Sequence, residues 1–327
     1  MRLVSPPMSY LQAIVIAVVQ GVTELFPVSS LGHSVLVPAW IGGSWQTLVT
    51  QSSQASSETS FYLAYIVALH CATALALLWF FRADWVRIIK GFFRTLGPVV
   101  KTRRLPDEDA DARLAWLIVI ATIPVGITGL ALEHVFRTVF AKPLAASIFL
   151  LINGLVLYGA ERLRRGASVQ ADEAEAAAFN EAEASGSRSA EDVALARASD
   201  SRIARIPVLD SLRIGLLQVL ALLPGISRSG ITMVGGLWRG LSHEDAARFA
   251  FLLATPVILA AGVLKLPTLA GSAGDNIHGQ VAVGVVICFI TAYLSVRFLV
   301  RYFETRNLTP FAIYSIAVGV VSVVHFV

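Results

Sequence analysis

Charged residues are scarce in this sequence of 327 residues. Asp, Glu, Lys and Arg make up 15% of the chain, whereas hydrophobic residues make up 56%. A soluble domain carries about 25% charged residues, so the composition excludes an ordinary water-soluble protein. Several apolar runs have the ~20 residues that cross a bilayer core as a helix. The sequence therefore predicts an integral membrane protein with several spans.

Cysteine and net charge are also low. The two cysteines, Cys71 and Cys288, lie in apolar runs, which predicts buried thiols with no disulfide or metal site. The formal net charge of +4 comes from arginines in loops and does not favour nucleic-acid binding. The apolar run after the first ten residues leads into a polar motif and not into a small-residue cleavage site, so we expect no cleaved signal peptide.

The first apolar run is interrupted by residues 20–33, QGVTELFPVSSLGH. Glu24, two serines, a histidine and a proline are costly at membrane depth, and an ionisable side chain there indicates a functional site. A second stretch, residues 223–232, LPGISRSGIT, has the same ingredients: a helix-breaking proline, serines and one charge, on Arg228. We expect the fold to bring the two stretches together and to place Arg228 beside His33.

Loop charges determine the predicted topology. The loops at 82–113 and 161–213 hold most of the Lys and Arg residues, so the positive-inside rule makes both cytoplasmic. The loop at 271–280 has neither residue and should lie outside. Counting spans from these loops, the segment 212–240 starts and ends inside, and the segment 11–41 starts and ends outside. Each segment is therefore predicted to be a re-entrant hairpin; the alternative is a single long span through the first one.

The predicted fold is an all-α integral membrane protein with six transmembrane helices and two re-entrant helical hairpins in an inverted repeat. Residues 1–160 form the first repeat, 161–210 a partly disordered cytoplasmic linker, and 211–327 the second repeat. In such repeats broken helices meet near the bilayer midplane, where irregular backbone is tolerated if it lines a cavity. The predicted spans are 61–81, 114–132, 143–160, 249–269, 281–300 and 309–326.

Three segments outside the spans also carry local signals. Residues 42–60 are rich in Ser, Thr and Gln and predict a loop. Apolar residues recur at helical spacing among Lys and Arg over 85–93, which predicts an interfacial helix. Ser242, with Asp245 three residues later, predicts a helix start.

Arg228 lies between Ser227 and Ser229, with Gly225 and Gly230 on either side. The glycines let backbone N–H groups approach closely, the guanidinium offers a planar fork of donors, and the hydroxyls add more. A helix that starts after the turn would direct its positive end to the same point. Convergent donors of this kind suit a phosphate better than a carboxylate. The alternative is a structural ion pair with the carboxylate of the first motif.

Ser30 and His33 are three residues apart and would share one face of a helix. His33 would then either deprotonate Ser30 or attack phosphorus itself, and the residues do not decide between the two. Glu24 would orient or protonate His33, or would hold a divalent cation together with phosphate oxygens. Ser29 would bind substrate or would satisfy freed backbone groups.

Two polar residues inside predicted spans leave their roles open. His70 fits a structural role and a direct role equally well, and Asn153 is expected to join helices by hydrogen bonds. The residues together predict a phosphate-handling site within the membrane. Two classes of protein fit: a phosphatase acting on a lipid phosphate, and an inverted-repeat transporter or flippase of an anionic lipid or phosphate. A transporter would need the arginine but not the group formed by Ser30, His33 and Glu24.

Both motifs match one known family. Residues 20–33 resemble the motif (Glu/Gln)-Gly-x-Thr-Glu-x-x-Pro-x-Ser-Ser-x-Gly-His, and residues 224–230 resemble Pro-Gly-x-Ser-Arg-Ser-Gly. These are motifs of the undecaprenyl-pyrophosphate phosphatase family, also called the bacitracin-resistance family. The resemblance covers nearly the whole chain except about 165–205, and two long motifs together make it highly specific.

The resemblance implies hydrolysis of undecaprenyl pyrophosphate, a polyprenyl lipid, to the monophosphate and inorganic phosphate. This reaction recycles the lipid carrier for peptidoglycan synthesis and confers bacitracin resistance. The resemblance also implies a multi-pass protein of the bacterial inner membrane whose site opens toward the periplasmic face, and a supporting divalent cation, Mg or Ca. The partners we expect are the lipid substrate and the membrane, with a homodimer left open and no nucleic acid.

The family's catalytic positions match Glu24, Ser30, His33 and Arg228, with Glu24 also as the cation ligand. One position departs from the acidic form of the motif, because Gln20 stands there. An amide is a weaker metal ligand than a carboxylate, so Glu24 would carry the charge of the cation site alone. The substrate-binding residues that we expect from the two motifs are Gln20, Ser29, Gly225, Ser227, Ser229 and Gly230.

Overall fold

The computed structural model describes residues 8–54, 61–139, 142–165, 188–270 and 277–327. These residues form thirteen α-helices, and a 3₁₀ helix at Gln218–Leu222 follows α9. The α-helices are α1 Tyr10–Thr23, α2 Ser30–Ile41, α3 Ser44–Gln54, α4 Phe61–Phe80, α5 Arg82–Thr102, α6 Ala110–Val139, α7 Pro143–Arg165, α8 Arg188–Ala204, α9 Val208–Leu217, α10 Arg228–Trp238, α11 His243–Ala270, α12 His278–Thr305 and α13 Thr309–Phe326.

Six of these helices are long and apolar enough to cross a membrane, namely α4, α6, α7, α11, α12 and α13. They confirm the predicted all-α membrane fold with six spans. The predicted start of α11 is confirmed too, because the Ser242 hydroxyl accepts a hydrogen bond from the backbone N–H of Asp245 at 3.0 Å. An N-cap of this kind satisfies one of the donors that every helix start leaves free.

Two pairs of shorter helices interrupt this pattern. α1 and α2 have 14 and 12 residues, and α9 and α10 have 10 and 11. At 1.5 Å per residue, none of the four crosses a hydrocarbon core of about 30 Å. Within each pair the two helices pack on each other. The predicted breaks in both segments are therefore present, with irregular backbone between the two helices of each pair.

Contacts between the two halves of the chain form an exchange pattern: a helix of one half that packs on the other half has a counterpart there that makes the equivalent contact. α1 packs on α12, and α9 packs on α6. The first spans of the halves, α4 and α11, pack on each other, and so do the last spans, α7 and α13. Both approaches by the short helices are close: a Cβ on Gly21 would lie 2.8 Å from the Cys288 carbonyl oxygen, and one on Gly215 would lie 2.3 Å from that of Ala121. Swapping the halves maps these contacts onto one another.

The prediction of a loop over residues 42–60 is wrong for its first half, since Ser44–Gln54 is the helix α3. Leu48 and Val49 are buried there, so an apolar pair anchors a helix whose composition is otherwise polar. Residues 55–60 lie outside the described residues.

The predicted amphipathic helix over 85–93 is present as part of α5. Ile88 and Gly91 are buried, and α5 packs on α6. A second apolar stripe on α5 stays exposed and consists of Val86, Ile89, Phe93, Leu96 and Val100. Its three- and four-residue spacing puts it on one helix face. Its location at a membrane interface stays a prediction.

The segment predicted as a linker contains a packed helix. The last two turns of α8 bury Ser199, Asp200 and Ile203, and α8 packs on α6 and α11. This end of the segment therefore belongs to the folded body and not to a solvated connection. Residues 166–187 lie outside the described residues.

A buried ion network holds α8 in place. The Asp200 carboxylate, 1% exposed, accepts two hydrogen bonds from Arg248 of α11, at 2.7 and 3.0 Å. Arg87 of α5 donates to the same carboxylate at 2.8 Å and to Asp111 of α6 at 2.5 Å. Asp84 lies 3.0 Å from Arg248 and 2.5 Å from Arg87. Two arginines thus face three carboxylates, and four helices meet at this network.

Removing Asp200 should destabilise the fold. In Asp200→Ala the buried Arg248 loses its bidentate partner, and breaking a buried ion pair costs about 3–5 kcal/mol. We expect a clearly lower thermal unfolding midpoint of the detergent-solubilised protein. Asp107→Ala is the matched control: its side chain is 87% exposed and pairs with Arg113, so its loss should cost about 1 kcal/mol or less. Equal midpoints for the two variants would contradict a stabilising role of the network.

Candidate active site

The two breaks have the same local construction. Ser29 caps α2 by accepting the backbone N–H of Gly32 at 3.2 Å, and Ser227 caps α10 by accepting that of Gly230 at 3.1 Å. The residues directly after the caps, Ser30 and Arg228, are the first residues of their helices. Proline before each cap favours the break because it cannot continue a helix. Each loop therefore delivers the positive end of a helix to the centre of the protein.

The Glu24 carboxylate is the point where the two loops meet. It is 7% exposed, and its Oε1 accepts a hydrogen bond from Nη2 of Arg228 at 2.6 Å. Its Oε2 accepts from the Ser30 hydroxyl and from Nε2 of Gln20 at 3.0 Å. His70 Nε2 lies 3.4 Å from the same oxygen. A buried carboxylate is stable only when paired and hydrogen-bonded in this way.

The ion pair with Glu24 engages only one of the two terminal nitrogens of the Arg228 guanidinium. Its Nη2 bonds Glu24, whereas its Nη1 is buried and has no hydrogen-bond partner among the described residues. The structural ion pair that the sequence left as an alternative is thus present, but it leaves one edge of the guanidinium open. Because a buried donor without a partner is costly, this edge is suited to receive an anionic ligand.

Direct hydrogen bonds tie the two loops together. The Ser29 hydroxyl accepts from the backbone N–H of Gly225 at 3.1 Å, and the Phe26 carbonyl accepts from the hydroxyls of Ser229 at 3.2 Å and Ser227 at 3.4 Å. Each of the two loops contains one residue of positive φ: Ser29 at 69° in the first and Gly225 at 115° in the second. Strained backbone of this kind persists where surrounding contacts over-determine it, and it clusters at functional sites.

Asn153 of α7 clamps both loops at once. Its Nδ2 donates to the Pro27 carbonyl at 3.0 Å, and its Oδ1 accepts the backbone N–H of Ser227 at 2.9 Å. The side chain is 3% exposed. The expectation that Asn153 joins elements by hydrogen bonds agrees with these contacts, but the elements it joins are the loops of the site.

His33 lies apart from this centre. Its Nδ1 donates to the Ser29 carbonyl at 2.7 Å, so in the neutral ring Nε2 accepts from the Tyr314 hydroxyl at 2.8 Å. The structure brings neither Ser30 nor Arg228 into hydrogen-bond contact with His33. Ser30 points to Glu24 instead, because the first residue of α2 faces back across the loop. The expected neighbourhood of Arg228 and His33 stays a prediction, and the hydrogen-bond partner of Arg228 is Glu24.

A cavity of about 620 Å³ opens onto this centre. Its volume lies within the ~300–1,000 Å³ of small-molecule sites. Polar groups of its wall come from both loops, and the larger part of the wall is apolar, contributed by α4, α6, α11 and the 3₁₀ helix Gln218–Leu222. The polar residues that line it are Glu24, Ser29, Ser30, His70, Thr122, Gln218, Ser227 and Arg228. Among the described residues, this lining does not include His33.

The sequence missed two members of the site. The direct contact of His70 with Glu24 had no local signal, because 46 positions separate them and His70 sits in an ordinary apolar span. Tyr314 had no local signal either, because its bond to His33 crosses between the two halves of the chain. Both contacts depend on tertiary packing and not on spacing along a helix.

The fold and the site define a class of protein. Two broken helices of a six-span membrane protein present a serine, a carboxylate and a half-free arginine to a largely apolar cavity, as a site for an anionic amphiphile would. The family profile described as bacitracin resistance protein BacA matches residues 13–321. The chain belongs to this family.

Relatives of known name agree in length as well as sequence. Undecaprenyl-diphosphatase 2 of Frankia alni is 57% identical over 98% of both sequences. Undecaprenyl-diphosphatase of Mycolicibacterium paratuberculosis is 56% identical over 97% of both. Undecaprenyl-diphosphatase 2 of Burkholderia ambifaria is 40% identical over 93% of this chain and 92% of its own.

Replacing Asn153 should loosen the site. In Asn153→Ala the Ser227 N–H loses its acceptor, and an unsatisfied buried donor costs about 1–3 kcal/mol. We expect a lower thermal midpoint in detergent. Ser147→Ala is the matched control on the same helix, because within the described part of the chain the buried Ser147 hydroxyl bonds only the Pro143 carbonyl of its own helix, at 2.8 Å. If the two variants unfold at the same temperature, Asn153 does not clamp the loops.

Proposed function

We propose that this protein hydrolyses undecaprenyl pyrophosphate to undecaprenyl phosphate and inorganic phosphate, and so recycles the carrier lipid of cell-wall synthesis and confers bacitracin resistance. The observation that carries the proposal is the Glu24 carboxylate, which holds the Ser30 hydroxyl and the Arg228 guanidinium on the wall of one cavity. The names of the relatives support the substrate.

The cavity suits an amphiphilic substrate. The pyrophosphate would bind at the polar groups around Glu24, while the polyprenyl tail would contact the apolar wall and the surrounding lipid. Nη1 of Arg228 and the helix N-termini at Ser30 and Arg228 supply donors for phosphate oxygens. Because the tail comes from lipid and not from water, its contact with the apolar wall adds van der Waals packing and no hydrophobic free energy.

In the proposed reaction Ser30 is the nucleophile. Its Oγ forms a bond to the terminal phosphorus, the bridging P–O bond breaks, and undecaprenyl phosphate leaves with the bridging oxygen. The serine proton passes to Oε2 of Glu24, which already accepts the hydroxyl hydrogen bond. Water then hydrolyses the phosphoserine, releases phosphate and restores the hydroxyl.

Orientation matters more here than a strong base. Phosphoryl transfer passes through a loose transition state in which catalysis is almost entirely positioning and electrostatic stabilisation. Glu24 orients the Ser30 oxygen, and Arg228 stabilises charge on the transferred phosphoryl group. Both ring nitrogens of His33 are engaged with Ser29 and Tyr314. We therefore assign His33 to holding the strained backbone at Ser29.

A divalent cation fits the site only together with substrate. Among the described residues no group of three or more His, Cys, Asp or Glu side chains could hold a metal ion. Glu24 and Gln20 remain as ligands, since Oε1 of Gln20 is buried without a hydrogen-bond partner in the described part of the chain. Mg²⁺ is commonly bound by one or two protein groups plus substrate phosphates. When bound, the cation would neutralise charge on the pyrophosphate.

Phosphate release by the purified protein tests the proposal. We expect release from undecaprenyl pyrophosphate, stimulated by Mg²⁺ or Ca²⁺ after chelation, and a loss of about 10²–10³-fold or more in kcat for Ser30→Ala and Arg228→Ala. Arg228→Lys should recover only part of the activity because ammonium lacks the planar fork.

The matched control is Arg239→Ala, just beyond the other end of α10. Arg239 pairs with Asp210 at 3.2 Å, away from the cavity lining. The Arg239→Ala variant should keep its activity within about twofold of the wild type, as surface substitutions do. Wild-type activity in Ser30→Ala would exclude a serine nucleophile. A wild type that moves anionic lipid across vesicles without releasing phosphate would favour the transporter alternative.

We also propose that the two halves form an inverted repeat whose broken helices are re-entrant hairpins, in the bacterial inner membrane with the first hairpin opening to the outside. The exchange pattern of helix contacts supports the repeat. The identical position of Ser30 and Arg228 behind serine caps supports it as well. The excess of Lys and Arg at 82–113 supports a cytoplasmic position for that loop.

Single cysteines test this topology in a background without Cys71 and Cys288. Cysteines at Ser5 and Thr47 flank the first hairpin, and both should react with a membrane-impermeant thiol reagent added to spheroplasts. Cysteines at Arg205 and Arg239 flank the second hairpin, and both should react only after permeabilisation. Opposite accessibility within either pair would show a full span and would exclude a hairpin there.

A further inference from the structure

The histidine that reaches the cavity is His70 and not the histidine of the first motif. His70 belongs to the span α4 and lines the cavity beside Glu24, Ser30 and Arg228. Its Nδ1 donates to the Ile66 carbonyl of its own helix at 2.8 Å. That bond fixes the ring, so Nε2 is the nitrogen that faces Oε2 of Glu24, at 3.4 Å.

This approach requires a hydrogen between the two atoms. If Nε2 and the carboxylate oxygen both presented lone pairs, they would repel each other across 3.4 Å. A hydrogen on either atom turns the contact into a favourable one. The contact is thus a hydrogen-bonding interaction that reaches Glu24 from α4, a helix that carries neither loop of the site.

His70 completes the set of groups that hold the carboxylate. Arg228 holds Oε1, whereas Gln20, Ser30 and His70 surround Oε2. Gln20 belongs to the same helix as the residues before Glu24, so it cannot fix the carboxylate relative to the rest of the bundle. His70 can, because α4 packs on α11 and α12 in the core of the helix bundle.

We propose that His70 is a positioning residue for the reaction: it holds Oε2 of Glu24 in the orientation that aims the Ser30 oxygen into the cavity. This inference rests on the proposed function, since it assigns His70 a part in the same serine-dependent hydrolysis. Because Nδ1 already donates to Ile66, Nε2 carries a hydrogen for Glu24 when the ring is the imidazolium, which donates from both nitrogens. The role needs only the donated hydrogen bond, so a neutral donor of similar reach should replace the imidazole.

The test compares His70→Gln with His70→Leu and His70→Asn. The Gln amide can reach Glu24 and donate, Leu fills similar space without a donor, and Asn has a donor but is one methylene shorter. We expect kcat to fall by about 10–100-fold in the Leu and Asn variants with KM changed less than about threefold, and to stay within about fivefold in the Gln variant. His325→Leu, in which the lost ring is stacked on Trp40 at 4.0 Å, is the control for removing a histidine elsewhere.

Thermal midpoints of all variants separate positioning from folding. If the Leu variant does not fold, the comparison of Gln with Asn carries the same information. Full kcat in Leu or Asn, or equal loss in Gln, Leu and Asn, would overturn the role of His70. Arg228→Ala is assayed alongside. Equal rates for the wild type and Arg228→Ala would contradict the proposed function, and this inference with it. An inactive Arg228→Ala together with fully active His70 variants would contradict the inference alone.

Discussion

The structure depends on one buried ion pair. Glu24 belongs to the first broken helix and Arg228 to the second, and their side chains meet at 2.6 Å inside a membrane protein. Neither charge could be buried there alone, because an unpaired ion in a low-dielectric interior costs several kcal/mol. Each loop thus requires the other. The ion pair that joins the two halves of the chain also fixes the geometry of the site.

The broken backbone is subject to a second constraint of the same kind. Freed N–H and C=O groups at membrane depth must find partners inside the protein. The serine caps at Ser29 and Ser227 and the side chain of Asn153 provide them. The Ser29 hydroxyl also accepts the Gly225 N–H, and the Phe26 carbonyl accepts the hydroxyls of Ser227 and Ser229, so bonds between the loops fix the distance between the two helix starts. Satisfaction of the backbone and alignment of the site are therefore achieved by the same hydrogen bonds.

The two halves share a serine-capped helix start at the cavity, and they differ in the first residue of that helix. A serine cap precedes the first helical residue in both loops, but that residue is Ser30 in one and Arg228 in the other. Two positive helix ends thus converge on one point, as an anion requires. The same position supplies a hydroxyl from one side and a guanidinium from the other. An exact repeat would have supplied two of one group and none of the other.

Composition and local pattern were enough to predict the main architecture. Apolar runs predicted the six spans, and the polar motifs with their prolines predicted the two breaks. The pairing of Glu24 with Arg228 was given only as an alternative to an anion-binding role of Arg228, although charges at membrane depth need partners. The pairing of Ser30 with His33 rested on helical spacing, which holds only within α2. Because Ser30 is the first residue of α2, its hydroxyl faces the loop behind it, and Glu24 is its partner.

Contacts set by packing between distant helices were beyond the reach of the sequence. His70 reaches Glu24 because α4 packs on α1, and Asn153 reaches both loops because α7 packs on α2 and α10. The helix α8 was hidden for a similar reason. Its sequence is polar and rich in alanine, and its place in the fold comes from the pairing of Asp200 with Arg248 and Arg87.

The charge balance of the site explains why an anion completes it. Without ligand, the carboxylate of Glu24 and the guanidinium of Arg228 cancel, so the pair can exist within a bilayer. Nη1 of Arg228 and Oε1 of Gln20 nevertheless remain without partners in the described residues. One is a donor that a phosphate oxygen satisfies, and the other is an acceptor that a cation satisfies. In the reaction proposed above, a pyrophosphate bound together with a divalent cation would satisfy both groups and would bring less net charge into the membrane than the pyrophosphate alone. A phosphate or a carboxylate without a cation would satisfy the arginine alone and would leave Oε1 of Gln20 without a partner.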